Sequence, residues 1–143
     1  MASKLYGNFL LKALNKEVDF DSDTIKVALL SSSYTPDQDA HDYFNDVSTY
    51  EVTGTGYTTG GSTLASKTAT YDSANNVIVL DAADVTWSSS TITARYAVVY
   101  DSTGTASTSA LIGYVDFGSD QSSTNGNFTI TWDSTGIVRI TVA

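Results

Sequence analysis

Residues 91–118 read TITARYAVVYDSTGTASTSALIGYVDFG, and their alternation sets the fold class. Ile92, Ala94, Tyr96, Val98 and Tyr100 recur at a spacing of two, with Thr93, Arg95, Ala97 and Val99 between them. Strand side chains alternate faces, so the pattern predicts a strand with one buried side and one partly covered side. Asp101 to Ser109 holds no large apolar residue and reads as a solvated loop. Leu111, Gly113, Val115 and Phe117 then resume the alternation on one face. This pair of strands is expected at the centre of a sheet, with the remaining segments as neighbours.

After that pair, Ser119 to Gly126 reads as a long polar loop. Asn127 to Trp132 alternates, with Phe128, Ile130 and Trp132 inward, and Asp133 to Gly136 makes a tight turn. Ile137 to Val142 is expected as the last strand, its core face Val138, Ile140 and Val142. Before the pair, Val77 to Leu80 is a short, continuously apolar strand bounded by the turn Asp72 to Asn76. Asp84 to Trp87 reads as another strand, and Ser88 to Ser90 leads from it into the central pair. Thr24 to Leu30 is a further strand, in which Ile25, Val27 and Leu29 alternate with Lys26 and Ala28. Ala40 to Val47 suits one helical turn or an ordered loop.

Residues 4–15, KLYGNFLLKALN, are expected as the one substantial helix. Leu5, Phe9, Leu10, Ala13 and Leu14 form an apolar stripe, Ser3 is a fair N-cap, and Gly7 weakens the middle. About eight strands at short spacing after one helix predict a mainly β chain. The expected architecture is an antiparallel β-sandwich, with a jelly roll as the leading topology. At 143 residues, 1–143 is most simply one domain, able to bury roughly 70% of its unfolded surface without a metal or disulfide.

The chain has no cysteine, so disulfides and thiol chemistry are excluded. Its formal charge of -9 opposes nucleic acid, and Lys4, Lys12, Lys16 and Lys26 are followed or interrupted by Glu17, Asp19, Asp21 and Asp23. The apolar run Phe9-Leu10-Leu11 is too short to span a bilayer, and no signal peptide is expected, so synthesis in the cytoplasm is. Asn127-Phe128-Thr129 matches a glycosylation acceptor but reads as a strand start.

Four features invite a chemical reading. Asp19, Asp21 and Asp23 resemble the opening of a calcium loop, yet loop positions six and twelve hold Thr24 and Leu30. A solvated turn is the better reading. His41 stands beside Asp42, but no serine, cysteine or second histidine pairs with it by spacing. Gly54, Gly56, Gly60 and Gly61 lack the following helix and lysine of a phosphate loop, so a mobile surface loop is expected. Asp81 and Asp84 cannot be paired as glycosidase carboxylates from sequence. No catalytic residue, metal ligand or cofactor is therefore assigned, and the chain is expected to be no enzyme.

Six segments carry a resemblance: Lys26-Val27-Ala28-Leu29-Leu30, His41-Asp42-Tyr43-Phe44, Gly54-Thr55-Gly56-Tyr57, Thr93-Ala94-Arg95-Tyr96-Ala97-Val98-Val99-Tyr100, Leu111-Ile112-Gly113-Tyr114 and Phe128-Thr129-Ile130-Thr131-Trp132. In order and spacing the chain resembles small structural proteins of tailed bacteriophages, over nearly its whole length. That resemblance implies a virion component on the capsid surface, a decoration or cement protein bound to the major capsid protein. A homo-oligomer, dimer or trimer, goes with it, and neither nucleic acid nor membrane is a partner. A tail- or fibre-associated module that binds glycan or receptor is the alternative. The group has no catalytic signature, so no functional residue carries over.

Docking elements compatible with such a role are the helix with Leu5, Phe9 and Leu10, and the segment with Tyr43, Phe44, Tyr50 and Tyr57. The same loop aromatics could instead cap the open end of the sandwich. Trp87 and Trp132 sit in strand patterns and are expected in the core.

Overall fold

A computed structural model describes residues 2–142. The expected central pair is the middle of a longer hairpin. Its strands are β6 (Val85–Asp101) and β7 (Leu111–Ile130), labelled by their place in the chain. They run antiparallel from Tyr100 opposite Leu111 to Val85 opposite Ile130. Ser88–Ser90 is thus no break, and Ser119–Gly126 is strand and not loop.

The hydroxyls explain this correction. Polar residues suit a sheet whose outer face meets water, and here they bond across it. Thr86 pairs with Thr129 at 2.9 Å, and Thr93 with Ser122 at 2.8 Å. Inside the hairpin, Ser90 Oγ lies 2.7 Å from Ser123 Oγ and donates to Trp87 O or Gly126 O, each 3.0 Å away.

The hairpin is irregular, and its irregularities reassign faces. Register shifts fall between Trp87 and Ser90, Ser90 and Ile92, Ala94 and Tyr96, and Val99 and Tyr100. Each bulge changes the phase of the alternation. Ile92 and Ala94 therefore share a core with Ala97 and Val99, while Tyr96, Val98 and Tyr100 face the other way. Leu111 likewise lies on the face opposite Val115 and Phe117. A strict period of two had put each set on one face.

Around the hairpin, β1 (Ala2–Leu5) pairs with β7, β2 (Ile25–Leu30) pairs with β6, and the short β3 (Ser62–Thr63) pairs with β2. The five-stranded order is β1-β7-β6-β2-β3. A three-stranded sheet of β4 (Thr68–Asp72), β5 (Val77–Asp81) and β8 (Val138–Thr141) runs in the order β4-β5-β8. All pairings are antiparallel, giving the mainly β, eight-stranded sandwich the sequence predicts. Three of its six pairings, β2–β3, β4–β5 and β6–β7, join chain-consecutive strands within one sheet, unlike a jelly roll, whose consecutive strands mostly alternate between sheets; β1–β7, β2–β6 and β5–β8 are the crossovers.

The main core fills the space between the sheets. Ile25, Val27, Leu29, Ala97, Val99 and Ile112 share it with Leu80 and Val138. Trp87 and Trp132 are buried as expected, and Val142, expected inside, is 45% exposed. The large sheet has a second buried face. Residues 31–51, with short helical turns at Phe44–Asp46 and Ser48–Tyr50, lie over it. Tyr34, Phe44 and Val47 pack there on Ala28, Leu30, Val98 and Tyr100. A two-sided sheet explains why β2 is apolar at nearly every position.

The helix α1 is shorter than expected, spanning Phe9–Leu14. Lys4 and Leu5 belong to β1, where Lys4 pairs with Tyr114 and Leu5 with Gly113. Gly7 N–H donates to Gln38 O at 2.9 Å and fixes the bend between strand and helix. Strand pairing along β7 thus overrides helix propensity in residues 4–7.

Candidate interface surfaces

The helix α1 is built inside out. Its sequence, FLLKAL, is apolar on every side except at Lys12. A helix apolar all round must leave some of that surface outside unless it is enclosed. Phe9 anchors it in the main core. Lys12 is buried as well: its ammonium donates to Asp42 O at 2.8 Å and lies 3.4 Å from Asp42 Oδ2. The same ammonium sits 3.3 Å from the centroid of the Tyr43 ring. With the cation satisfied within, Leu10, Leu11 and Leu14 face outward, 42%, 58% and 83% exposed.

Of the seven residues proposed from sequence as an interface, Leu10 alone is exposed. Phe9 and Phe44 are buried in the protein's own cores, which removes them from any outer surface. Leu5 is half-buried against the main core. Tyr43 covers Lys12 and donates its hydroxyl to Glu17 Oε1 at 2.6 Å, which holds the phenol above its usual range. Tyr50 packs on Tyr34 with centroids 5.4 Å apart. Tyr57 donates to Glu51 Oε1 at 2.6 Å and accepts from Leu29 N–H at 3.0 Å. These aromatics fasten one layer to the next. Leu11 and Leu14 were not among the docking residues expected from sequence, which took Leu5, Phe9 and Leu10 from the stripe; burial of Phe9 and Lys12 turns Leu10, Leu11 and Leu14 outward instead.

A surface recess of mixed lining, with Gln121, Ser122, Thr129 and Thr131 beside its apolar residues, lies beside β8. Three strands cannot cover five, so part of β7 has no strand above it. The turn Asp133–Gly136 and Ile137 wall one side of the resulting recess, of about 720 Å3, and Val115, Phe117 and Phe128 line the other. An adjoining recess of about 370 Å3 runs between β1 and β8 and carries Lys4 and Arg139.

The features with a chemical reading have structural duties. Asp23 Oδ2 accepts from Asp19 N–H at 2.8 Å and Asp19 Oδ1 from Ser22 N–H at 3.2 Å, closing a turn. The Lys67 ammonium donates to Asp23 O. Behind that turn Asp101 is buried with Oδ2 unpartnered. Burial, then a hydrogen bond with Asp23, pushes its carboxyl up to about 7, against the pull of Lys67. Among the described residues no group of three or more His, Asp or Glu side chains is placed to hold a metal ion.

His41 Nδ1 accepts from Asp37 N–H at 3.3 Å and lies 3.0 Å from Tyr34 Oη, which is 2.8 Å from Tyr6 Oη. That chain ties the 34–41 loop to β1's end. Asp81 Oδ1 accepts from Ala82 N–H and Asp84 Oδ1 from Trp132 N–H, both at 2.9 Å.

The glycine-rich stretch is clamped and not a free surface loop. Gly60 N–H donates to Glu51 Oε1 at 2.6 Å, and Tyr100 Oη donates to Gly60 O at 2.6 Å. Gly61, at φ 78°, passes so close to β2 that a Cβ would overlap Val27 O. Its glycines serve close backbone approach, which the count of glycines alone could not separate from a phosphate cradle.

No protein-family profile, curated protein or solved structure matches this chain.

Proposed function

We propose that the protein is a non-enzymatic structural component of a tailed-phage virion, a capsid decoration protein that binds the major capsid protein and its own copies on the head surface. One observation carries the reading: a sheet buried on both faces where β2 meets β6 leaves the leucines of α1 exposed and a recess open over β7. A shell-covering protein must contact both neighbours and substrate lattice, and an exposed leucine face together with a separate open recess suits that task. The resemblance to phage structural proteins supports the same reading.

A second reading, a tail- or fibre-associated glycan-binding module, is favoured by the outer hairpin face. Thr86, Thr129, Thr93 and Ser122 form an exposed array of paired hydroxyls there. It lacks the stacking aromatics a sugar site uses, since Trp87 and Trp132 are buried.

Quantitative mass spectrometry of purified virions tests the two. A copy number approaching that of the major capsid protein is expected for decoration. A few copies per particle would move the protein to the tail or fibre, and its absence from virions would overturn both readings.

A further inference from the structure

We propose that Asn125 is a site of spontaneous covalent change, deamidating by attack of the Gly126 backbone nitrogen, and that the product loosens the β6–β7 hairpin. Seven asparagines stand in the chain, and Asn125 alone precedes a glycine. The reaction needs a free side-chain amide, an unhindered nitrogen beside it and a backbone able to bend.

The structure brings these together. β7 carries a bulge here: Ser90 pairs with Gly126 and Ile92 with Ser123, so Thr124 and Asn125 stand against Thr91 alone. A bulge leaves its extra residue outside the regular ladder. Thr91 N–H donates to Thr55 O at 2.9 Å, away from β7, and Asn125 N–H donates to Thr91 Oγ1 at 3.1 Å. Asn125 is exposed, at φ 45°, and its side-chain amide has no hydrogen-bond partner among the described residues. Asn45, Asn75 and Asn76 differ, because their amides are held by Asp46, Asp72 and Tyr71.

Gly126 is not required by its own position. Its φ is not positive, and a Cβ there would meet only Thr124 O, at 3.6 Å. The fold therefore accepts alanine at 126, while the missing Cβ leaves the nitrogen open to the Asn125 side chain.

In the step, Gly126 N gives its proton to solvent base and bonds to Asn125 Cγ. The Cγ–Nδ2 bond breaks and ammonia leaves, closing a succinimide ring. Water then opens the ring at either carbonyl, giving aspartate or isoaspartate. Both products add one negative charge. Isoaspartate also routes the main chain through Cγ and lengthens it by one carbon. That carbon falls at a sensitive joint. Gly126 O lies 3.0 Å from Ser90 Oγ, which is buried and 2.7 Å from Ser123 Oγ. A longer backbone at 125 moves Gly126 from its place opposite Ser90 and takes an acceptor from a buried hydroxyl.

Purified full-length chain is held at mildly alkaline pH, folded in one sample and unfolded in guanidinium chloride in another, and followed by peptide mapping with mass spectrometry. The folded chain is expected to convert at Asn125 before any other asparagine. Its rate should lie within roughly tenfold of the unfolded rate, a barrier difference of at most about 1.4 kcal/mol. Isoaspartate is read by its methylation with an isoaspartyl methyltransferase. Gly126→Ala should slow conversion roughly tenfold or more. Circular dichroism checks that this variant is folded, with Gly126→Ser as its replacement. The isoaspartate fraction, separated by ion exchange, is expected to melt below Asn125→Asp, which adds the same charge without the extra carbon.

Conversion that starts at another asparagine overturns the site, as does protection by the fold beyond about tenfold. An unchanged rate in Gly126→Ala does the same. An isoaspartate fraction that melts with Asn125→Asp overturns the effect on the hairpin. None of these outcomes bears on copy number in virions, so this chemistry and the decoration reading stand or fall separately.

Discussion

Phe44 lies flat on Tyr100, ring centroids 4.1 Å apart and planes 10° from parallel. The stack joins the 31–51 layer to the centre of the large sheet, and Tyr100 also donates to Gly60 O. One aromatic contact thus couples the covering layer, the central strand and the glycine-rich stretch. Phe44→Ala is expected to cost about 3–5 kcal/mol, read as a lowered midpoint in chemical denaturation. Amide exchange should rise most across residues 31–51. Unchanged exchange there would show that the layer is held by other contacts.

Asp101 predicts a stability slope with a definite sign. Its carboxyl is raised from the ordinary 3.8 to about 7 in the folded protein. Neutral Asp101 is favoured in the fold, so its contribution is fully present below about pH 4 and is lost as pH rises towards and through about 7. Asp101→Asn should flatten that decline and be relatively more stable above pH 7, by an amount on the order of a few kcal/mol. Denaturation midpoints of both proteins between pH 4 and pH 8 check it. Parallel curves would exclude Asp101 as the source.

Lys12→Met keeps the length of the side chain and removes the buried ammonium. Asp42 O then loses its donor, and Tyr43 loses the cation over its ring. A loss of about 1–3 kcal/mol is expected by thermal or chemical unfolding. Because the pair is largely sheltered, the loss should change little with added salt. A stabilised variant would mean that burying the charge costs more than its contacts return.

Gly61 and Gly104 share a positive φ, 78° and 87°, and differ in surroundings. A Cβ at Gly61 meets the β2 backbone, whereas one at Gly104 meets nothing within 4 Å. Gly104→Ala should cost about 1 kcal/mol, the conformational term alone. Gly61→Ala should cost at least about 3 kcal/mol or prevent folding, because the backbone of β2 cannot yield. Equal effects would show that conformation, not close approach, decides both sites.

Alternation located β2 and the inner parts of β6 and β7, which carry a period of two, and β5 was located as a short apolar run after a turn. It failed at Ser88–Ser90 and Ser119–Gly126. Polarity signals solvent, and both a loop and the outer face of a hairpin meet solvent. It also failed on the faces of β6, where the shift between Ala94 and Tyr96 moves the phase without marking the composition. Of the expected interface residues Leu10 is exposed, whereas Phe9 and Phe44 are buried, because the sequence stripe does not record which of its members pack on the protein's own cores.

The amino-acid sequence by itself determined that this is a mainly β, antiparallel, two-sheet chain without thiol chemistry and with strong negative charge. Those properties are local or additive: periodicity, residue counts and turn chemistry. Only the tertiary structure decided what covers the second face of the large sheet and which way α1 turns. Both depend on contacts between residues far apart in the chain, Phe44 with Tyr100 and Lys12 with Asp42 and Tyr43. A lysine goes inside only where a carbonyl, a carboxylate and an aromatic face await it, and no pattern within FLLKAL records that they do.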